Sequence, residues 1–159
     1  MPACSRPTAR PCVPDGSFNT EVGVPLTILK ADESTKYLVL EMGMRGLGQI
    51  SYLTEIAEPS VGVLVNVGLA HVELLGSREA IARAKGEIVE GLPADGFAIL
   101  NGDDPLVVAK GDNTRANVVL FGEGVNCDVR ATDIRLDAAA RPSFTLTYDN
   151  RSEPVTLKV

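Results

Sequence analysis

The hydrophobic residues of this chain follow two alternating patterns from residue 22 onwards. Short, continuous apolar runs are typical of strands buried within a parallel sheet. Between these runs, apolar residues recur every three or four positions, which is the spacing of an amphipathic helix. The predicted strands are residues 37–43, 61–67, 97–100 and 117–121, and the predicted helical segments are residues 22–29, 46–57, 77–91 and 104–110.

This alternation of strands and helices favours an α/β fold. Consecutive parallel strands are joined by right-handed crossovers, so we expect a mostly parallel sheet flanked by helices on both faces. After residue 124, three candidate strands separated by polar turns predict an antiparallel β extension over residues 125–159. Their ranges are residues 129–136, 143–148 and 155–159.

Residues 1–16 differ in character from the rest of the chain. They contain four prolines and show no apolar periodicity that would support a helix or a central strand. We therefore expect this segment to be disordered, and we expect the ordered domain to comprise residues 17–159.

Composition excludes several classes of function. The chain has a formal net charge of −6 and only 4% aromatic residues, so it lacks the basic surface and stacking side chains of nucleic-acid-binding proteins. The sequence shows no apolar stretch of the length needed for membrane insertion or a secretory signal. Its cysteines, Cys4, Cys12 and Cys127, have neither disulfide-framework nor zinc-ligand spacing. We therefore expect a cytoplasmic protein that acts on small molecules.

Polar residues suited to metal or phosphate chemistry follow the predicted strands. Glu41 ends the first strand, His71 comes shortly after the second, and Asn101 directly follows the third. Ligands of parallel α/β sheets bind at the carboxyl ends of the strands, and a carboxylate with an imidazole there suits a divalent cation. Each residue also has a structural alternative. Glu41 can be an exposed strand-end carboxylate, and His71, the only histidine, can simply follow a strand.

Three further observations concern nucleotide chemistry. The predicted helix 77–91 has Ser77 as its N-cap and an apolar stripe formed by Ile81, Ala84, Ile88 and Leu92. Lys85 lies beside this stripe, where it either extends along this face to solvent or is desolvated enough to react as a neutral amine. Asn101 opens the turn-forming sequence Asn-Gly-Asp-Asp-Pro, in which Asp103 or Asp104 can cap the next helix. The phosphate-loop motif G-x-x-x-x-G-K-[ST] is missing from the sequence.

Five segments of the chain resemble motifs of the Mur ligase family, in the order and spacing of that family. They are residues 16–27 (GSFNTEVGVPLT), 40–46 (LEMGMRG), 66–73 (NVGLAHVE), 84–87 (AKGE) and 101–105 (NGDDP). The resemblance covers the central, ATP-binding domain only. It implies a nucleotide-binding α/β fold of the phosphate-loop type, here without its phosphate loop.

The resemblance implies a ligase that uses ATP and Mg²⁺ and forms an amide bond through an acyl phosphate. The most similar branch of the family acts on UDP-N-acetylmuramoyl-tripeptide (UDP-MurNAc-tripeptide) and D-alanyl-D-alanine (D-Ala-D-Ala) in peptidoglycan synthesis. By resemblance, Glu41 and His71 are magnesium ligands, and Lys85 is the carbamylated lysine that helps to hold a second magnesium. Asn101 matches an adenine contact, and Asn19 falls in the segment near the substrate.

Two departures from the family pattern argue against ligase activity of this chain alone. The phosphate loop of the family precedes the segment that begins at residue 16, and here that place is taken by proline-rich sequence. The flanking N-terminal and C-terminal domains of the family are also missing, so we expect a fragment that is inactive alone. The alternatives are a non-catalytic nucleotide-binding or interaction module, and a related ligase such as a folylpolyglutamate synthase.

Overall fold

The computed structural model describes residues 11–68 and 72–158, in which short strands and helices alternate as the sequence predicts. In chain order the elements are β1 (Pro11–Cys12), α1 (Gly23–Ile28), β2 (Tyr37–Leu38), α2 (Gln49–Ala57), β3 (Val61–Leu64), α3 (Val72–Leu75), α4 (Arg78–Glu90), β4 (Phe97–Asn101), α5 (Pro105–Val108), a 3₁₀-helix (Ala109–Asn113), β5 (Asn117–Gly122), β6 (Val129–Leu136), β7 (Pro142–Tyr148) and β8 (Arg151–Thr156). No helix in this part of the chain is long and apolar enough to cross a membrane.

The main sheet has six strands arranged in sequence order from β3 to β8. β3, β4, β5 and the start of β6 are parallel, whereas β6, β7 and β8 are antiparallel. β1 and β2 form a separate two-stranded parallel sheet. The predicted α/β class with an antiparallel β extension is therefore confirmed.

Helix α4 packs one face of the parallel strands. Ile81, Ala84 and Leu92 of its predicted stripe are fully buried, while Ile88 is partly buried. Gly62 lets the helix approach β3, because a Cβ at this position would lie 3.1 Å from Ile88 O and 3.2 Å from Leu92 Cδ1. The core therefore lies between α4 and the sheet.

The expectation that helices cover both faces of the sheet is wrong for the described residues. Val61, Val63 and Phe97 point to the face opposite α4 and remain 49%, 48% and 45% exposed. The connections from β3 to β4 and from β4 to β5 place α4 and α5 in contact with each other on the same face. Among the other described helices, α2 and α3 pack against α4 and not against the exposed face.

Three predicted strand boundaries need correction. The run 37–43 forms a ladder only over Tyr37–Leu38, because its partner β1 is two residues long. The run 61–67 stops pairing at Leu64, since side chains take the carbonyl groups that follow. The last strand comes earlier than 155–159, because Asp149 and Asn150, with φ of 49° and 59°, form a two-residue turn directly after β7.

Part of the segment expected to be disordered has regular structure. Pro11 and Cys12 pair in register with Tyr37 and Leu38, and Val39 N donates a hydrogen bond of 2.9 Å to Cys12 O. A proline is tolerated there because a strand of two residues at a sheet edge needs few donors. Residues 1–10 lie outside the described residues.

Ser77→Ala tests the predicted start of α4, where Ser77 Oγ accepts a hydrogen bond of 3.1 Å from Ala80 N. We expect the variant to lose about 1 kcal/mol of unfolding free energy, as is typical when a helix loses its N-cap. In a domain of this size the melting temperature should fall by about 2–4 °C, measured by circular dichroism. Ser60→Ala is the control, because this exposed hydroxyl makes no hydrogen bond within the described residues. Equal melting temperatures for the two variants would contradict the capping role.

Candidate functional site

Asn19 and Glu41, two of the predicted site residues, are in direct contact. Asn19 Nδ2 donates a hydrogen bond of 2.7 Å to Glu41 Oε1, although 22 positions separate them in sequence. Their segments are also joined through the backbone, because Gly43 N donates to Asn19 O at 2.7 Å. A Cβ at position 43 would lie only 3.0 Å from Asn19 Cγ. The absence of a side chain at Gly43 therefore helps to place the Asn19 amide against Glu41.

A tight turn before α1 sets the direction of the Asn19 segment. Thr20 Oγ1 accepts hydrogen bonds of 3.4 Å from Val22 N and Gly23 N at the start of the helix. Gly23 lies against Phe18, with no room for a Cβ. The sequence around Asn19 thus folds back on itself and presents the amide to the segment that leaves β2.

The chemistry of this pair suits a hard cation that keeps part of its hydration. Glu41 is exposed and Asn19 is half-buried, so the pair offers a carboxylate and an amide oxygen near solvent. Mg²⁺ is usually held in this way, by one or two carboxylates together with water and phosphate. No cluster of three or more His, Cys, Asp or Glu side chains that could enclose a metal occurs within residues 11–68 and 72–158. The arrangement fits a shared, partly hydrated site and not an all-protein cage.

Lys85 and Asn101 both bind the backbone that leaves β3. Lys85 Nζ donates to Asn66 O at 2.9 Å, and Asn101 Nδ2 donates to Val65 O at 2.8 Å. The side chain of Asn101 also accepts a hydrogen bond of 2.9 Å from Asp103 N. Lys85 is half-buried, so its ammonium group neither extends freely into solvent nor is fully desolvated. The observed position of Lys85 is therefore intermediate between the solvent-extended and the desolvated lysine that the sequence allowed.

Val67, next along the same backbone, is held by two side chains that the sequence did not assign to the site. Arg78 Nη2 and Nε donate to Val67 O at 2.9 and 3.3 Å, and Asp104 Oδ2 accepts from Val67 N at 3.0 Å. Asp104 Oδ1 also accepts from Leu106 N at 3.0 Å, which confirms its predicted role as a helix cap. Arg78 offered a signal as well. A cation in the first turn of a helix opposes the helix dipole and calls for a partner.

Asp103 and Cys127 have structural roles near Asn101. Asp103 accepts hydrogen bonds from Glu123 N at 2.7 Å and Gly124 N at 2.9 Å, which ties the turn after β4 to the end of β5. Burial, and then the negative charge of Asp103, raise the pKa of the Cys127 thiol above its usual value. Cys127 therefore stays protonated at neutral pH and is a poor nucleophile.

The predicted residues thus fall into two groups. Asn19 contacts Glu41, while Lys85 and Asn101 meet through two adjacent carbonyl groups. Within the described part of the chain, no hydrogen bond joins one group to the other. His71 lies outside the described residues, so its assignment as a metal ligand stays a prediction.

An open pocket of about 870 Å³ borders the Asn19 segment, and sequence patterns gave no indication of it. One wall is the start of α2, whose N-cap residue Gly48 has no side chain to accept a hydrogen bond. Glu87 of α4 replaces that cap, because its two carboxylate oxygens accept from Gly48 N at 2.6 Å and Ser51 N at 3.0 Å. The helix that carries Lys85 therefore also supports the wall of the pocket.

Comparison with known proteins decides the family. The sequence pattern of the Mur ligase middle domain matches residues 9–159. The chain belongs to the Mur ligase family. It is 45% identical over 159 residues to a UDP-N-acetylmuramoyl-tripeptide–D-alanyl-D-alanine ligase of Mycobacterium tuberculosis (strain H37Rv), which covers 100% of this chain and 31% of that protein.

Solved Mur ligase structures show the same fold. A crystal structure of MurF from Acinetobacter baumannii superimposes with a TM-score of 0.87 at 30% identity, over 94% of this chain and 33% of that one. MurF from Thermotoga maritima in complex with ADP gives a TM-score of 0.80 at 31% identity, over 94% and 34% of the two chains. This chain therefore spans about a third of the length of these relatives.

The Mur ligase match begins at residue 9, ahead of β1 at Pro11–Cys12 and of the domain boundary expected at residue 17. The boundary at residue 17 stays a prediction.

Gly43→Ala tests whether this Mur ligase site depends on the contact between Asn19 and Glu41. The new Cβ would press on the Asn19 amide, so we expect the amide to move off Glu41 and its Nδ2 resonances to shift in NMR spectra. Overpacking of this kind costs about 1–3 kcal/mol of unfolding free energy. Gly46→Ala is the matched control, because a Cβ there meets nothing within 4 Å. Unchanged Asn19 resonances in Gly43→Ala would show that the glycine does not position the amide.

Proposed function

We propose that this chain is the middle domain of an ATP-dependent ligase that joins D-Ala-D-Ala to UDP-MurNAc-tripeptide in the synthesis of peptidoglycan. The domain supplies the cation-binding and adenine-binding parts of the site and does not turn over alone. Such a reaction, on small soluble substrates, takes place in the cytoplasm. The observation that carries the proposal is the hydrogen bond between Asn19 and Glu41. It joins two residues that the family resemblance assigns separately to substrate and metal.

The arrangement of the other residues supports the same function. Glu41 would bind Mg²⁺ through its exposed carboxylate, with His71 as a second ligand and a carbamylated Lys85 near a second cation. Bound Mg²⁺ would supply charge neutralisation for the phosphates of ATP. Asn101 would contact the adenine, and the pocket beside Asn19 is large enough for part of a nucleotide-linked peptide.

The lack of a phosphate-loop motif in the sequence supports inactivity of the chain alone. In phosphoryl transfer, most of the catalysis comes from positioned charges and backbone N–H groups around the phosphates. Without the backbone N–H groups and the lysine of a phosphate loop, the γ-phosphate lacks its main contacts. We therefore expect no D-Ala-D-Ala-dependent phosphate release from the purified chain at saturating ATP and Mg²⁺.

The second candidate is a non-catalytic nucleotide-binding module. That candidate predicts binding of ATP with a metal and no ligase activity in any protein context. A folylpolyglutamate synthase is less favoured, because the relative reported above acts, by its name, on a muramoyl tripeptide and D-Ala-D-Ala.

A chimeric enzyme separates the two candidates. Residues 17–159 of this chain replace the aligned residues of the Mycobacterium tuberculosis ligase, so that the phosphate-loop region upstream in that ligase is kept. Ligation of D-Ala-D-Ala is followed by chromatography of the UDP-linked product. We expect the chimera to be active and Glu41→Gln to lower its kcat by about 100-fold, since the cation that neutralises the phosphates loses a charged ligand. A folded but inactive chimera that still binds Mg²⁺ and ATP would favour the non-catalytic module.

Glu55→Gln is the control for this chimera, because it removes the same charge from an exposed position on α2. It should leave kcat unchanged. Mn²⁺ provides a second readout on the isolated chain. As the only histidine, His71 gives one set of imidazole signals, and we expect Mn²⁺ to broaden them in the wild type and less in Glu41→Gln. Equal broadening in both proteins would remove Glu41 from the metal site.

A further inference from the structure

Three successive carbonyl groups after β3 are bound by side chains from other elements. Val65 O accepts from Asn101 of β4, Asn66 O from Lys85 of α4, and Val67 O from Arg78 at the start of α4. A loop backbone of this kind normally bonds to water or to its own chain neighbours. Here the direction of each carbonyl determines where a side chain of the candidate site is held.

Val67 is the fixed point of this segment. Its side chain is 1% exposed and lies in the hydrophobic core. Both polar groups of its backbone are bound, the carbonyl by Arg78 and the N–H by Asp104. The Asp104 side chain is only 14% exposed, and its second oxygen is fixed by Leu106 N at the start of α5. Arg78 and Asp104 also lie 3.9 Å apart, so their opposite charges favour the same arrangement.

The four side chains that bind this segment differ in whether they also have a proposed role toward a ligand. Lys85 and Asn101 have assigned roles toward metal and adenine, and each of these roles competes with its bond to the backbone. Carbamylation would replace the ammonium charge of Lys85, and the Asn101 amide already uses both ends on Val65 O and Asp103 N. Arg78 and Asp104 have no such competing role, and charged partners make stronger hydrogen bonds than neutral ones.

We propose that Arg78 and Asp104 are positioning residues, which fix Val67 so that the carbonyl groups of Val65 and Asn66 orient Asn101 and Lys85. The inference rests on the proposed function for the roles of Asn101 and Lys85. Neither Arg78 nor Asp104 is assigned a contact with the metal or the nucleotide. They set the backbone from which the ligand-binding side chains are aimed, and they keep it in place when those side chains change partners.

The test uses the isotopically labelled chain itself, without ATP or metal. In Arg78→Ala we expect the Val67 amide proton to exchange at least tenfold faster, because loss of a charged partner loosens this peptide. The side-chain amide signals of Asn101 and the Cε signal of Lys85 should shift in the same variant. Arg78→Lys, which keeps a charged donor, should return these signals toward their wild-type positions.

Asp104→Asn separates positioning from folding. Asparagine keeps an oxygen for Leu106 N and is a good N-cap, but its amide nitrogen cannot accept from Val67 N. We expect a melting temperature close to that of the wild type, together with faster Val67 exchange and shifted Asn101 signals. This variant tests the proposal even if Arg78→Ala fails to fold.

Arg83→Ala is the charge control, because it removes an exposed arginine from the same helix. It should leave the Val67, Asn101 and Lys85 signals unchanged. Wild-type Asn101 signals in folded Asp104→Asn would overturn the proposal, as would wild-type Asn101 and Lys85 signals in folded Arg78→Ala or equal shifts in Arg83→Ala. These readouts need no catalysis, so an inactive chimera would disprove the proposed function without deciding the role of Arg78 and Asp104.

Discussion

The packing of α4 against the parallel strands is the contact on which the rest of this structure depends. The helix can come close to β3 because Gly62 has no side chain, and its buried face closes the core over Leu64, Ala98 and Leu100. A helix of 13 residues held so firmly is a rigid support for polar side chains. Arg78, Lys85 and Glu87 all project from it, and each binds the backbone of another segment. The apolar packing of α4 therefore also fixes the positions of these three polar contacts.

The three polar contacts made by α4 have the same physical role. In each, a charged side chain on the helix satisfies backbone groups that no regular secondary structure could satisfy. Glu87 caps a helix that begins at a glycine, and Lys85 and Arg78 bind carbonyl groups beyond the end of a strand. Such bonds are stronger than neutral ones and also specify direction. In this Mur ligase domain, side chains of α4 therefore hold the described irregular segments at Gly48 and at Asn66 and Val67.

Much of the fold followed from sequence because local patterns and tertiary packing agree. The stripe of Ile81, Ala84 and Leu92 predicted α4 and its buried face, and Ser77 predicted its start. Boundaries were missed where pairing depends on a partner elsewhere in the chain. Pro11–Cys12 is a strand only because Tyr37–Leu38 lies beside it. The covering of the second sheet face was also mispredicted, since periodicity identifies helices but not the side of the sheet on which each one packs.

The candidate site was likewise predicted from the sequence only in part. Glu41, Asn19, Lys85 and Asn101 were singled out through motifs, and their roles stay predictions. In the structure Asn19 binds Glu41 directly, while Lys85 and Asn101 bind adjacent carbonyl groups. Arg78 and Glu87 were missed because their partners are backbone groups, which leave no trace in the identity of the residues they belong to. Only an unsatisfied feature of local sequence gave a clue, such as the glycine at the start of α2.

The free edge of β3 has a consequence for the behaviour of this chain in solution. In the described residues β3 pairs only with β4, and its valines alternate with buried residues beside an open apolar groove. Unpaired N–H and C=O groups next to exposed valines form a template for strand addition, and natural proteins usually protect such edges with charge, proline or a covering element. None of the four residues of β3, Val-Gly-Val-Leu, provides that protection. The edge of β3 is therefore a position in the described residues at which the sheet can accept a further strand.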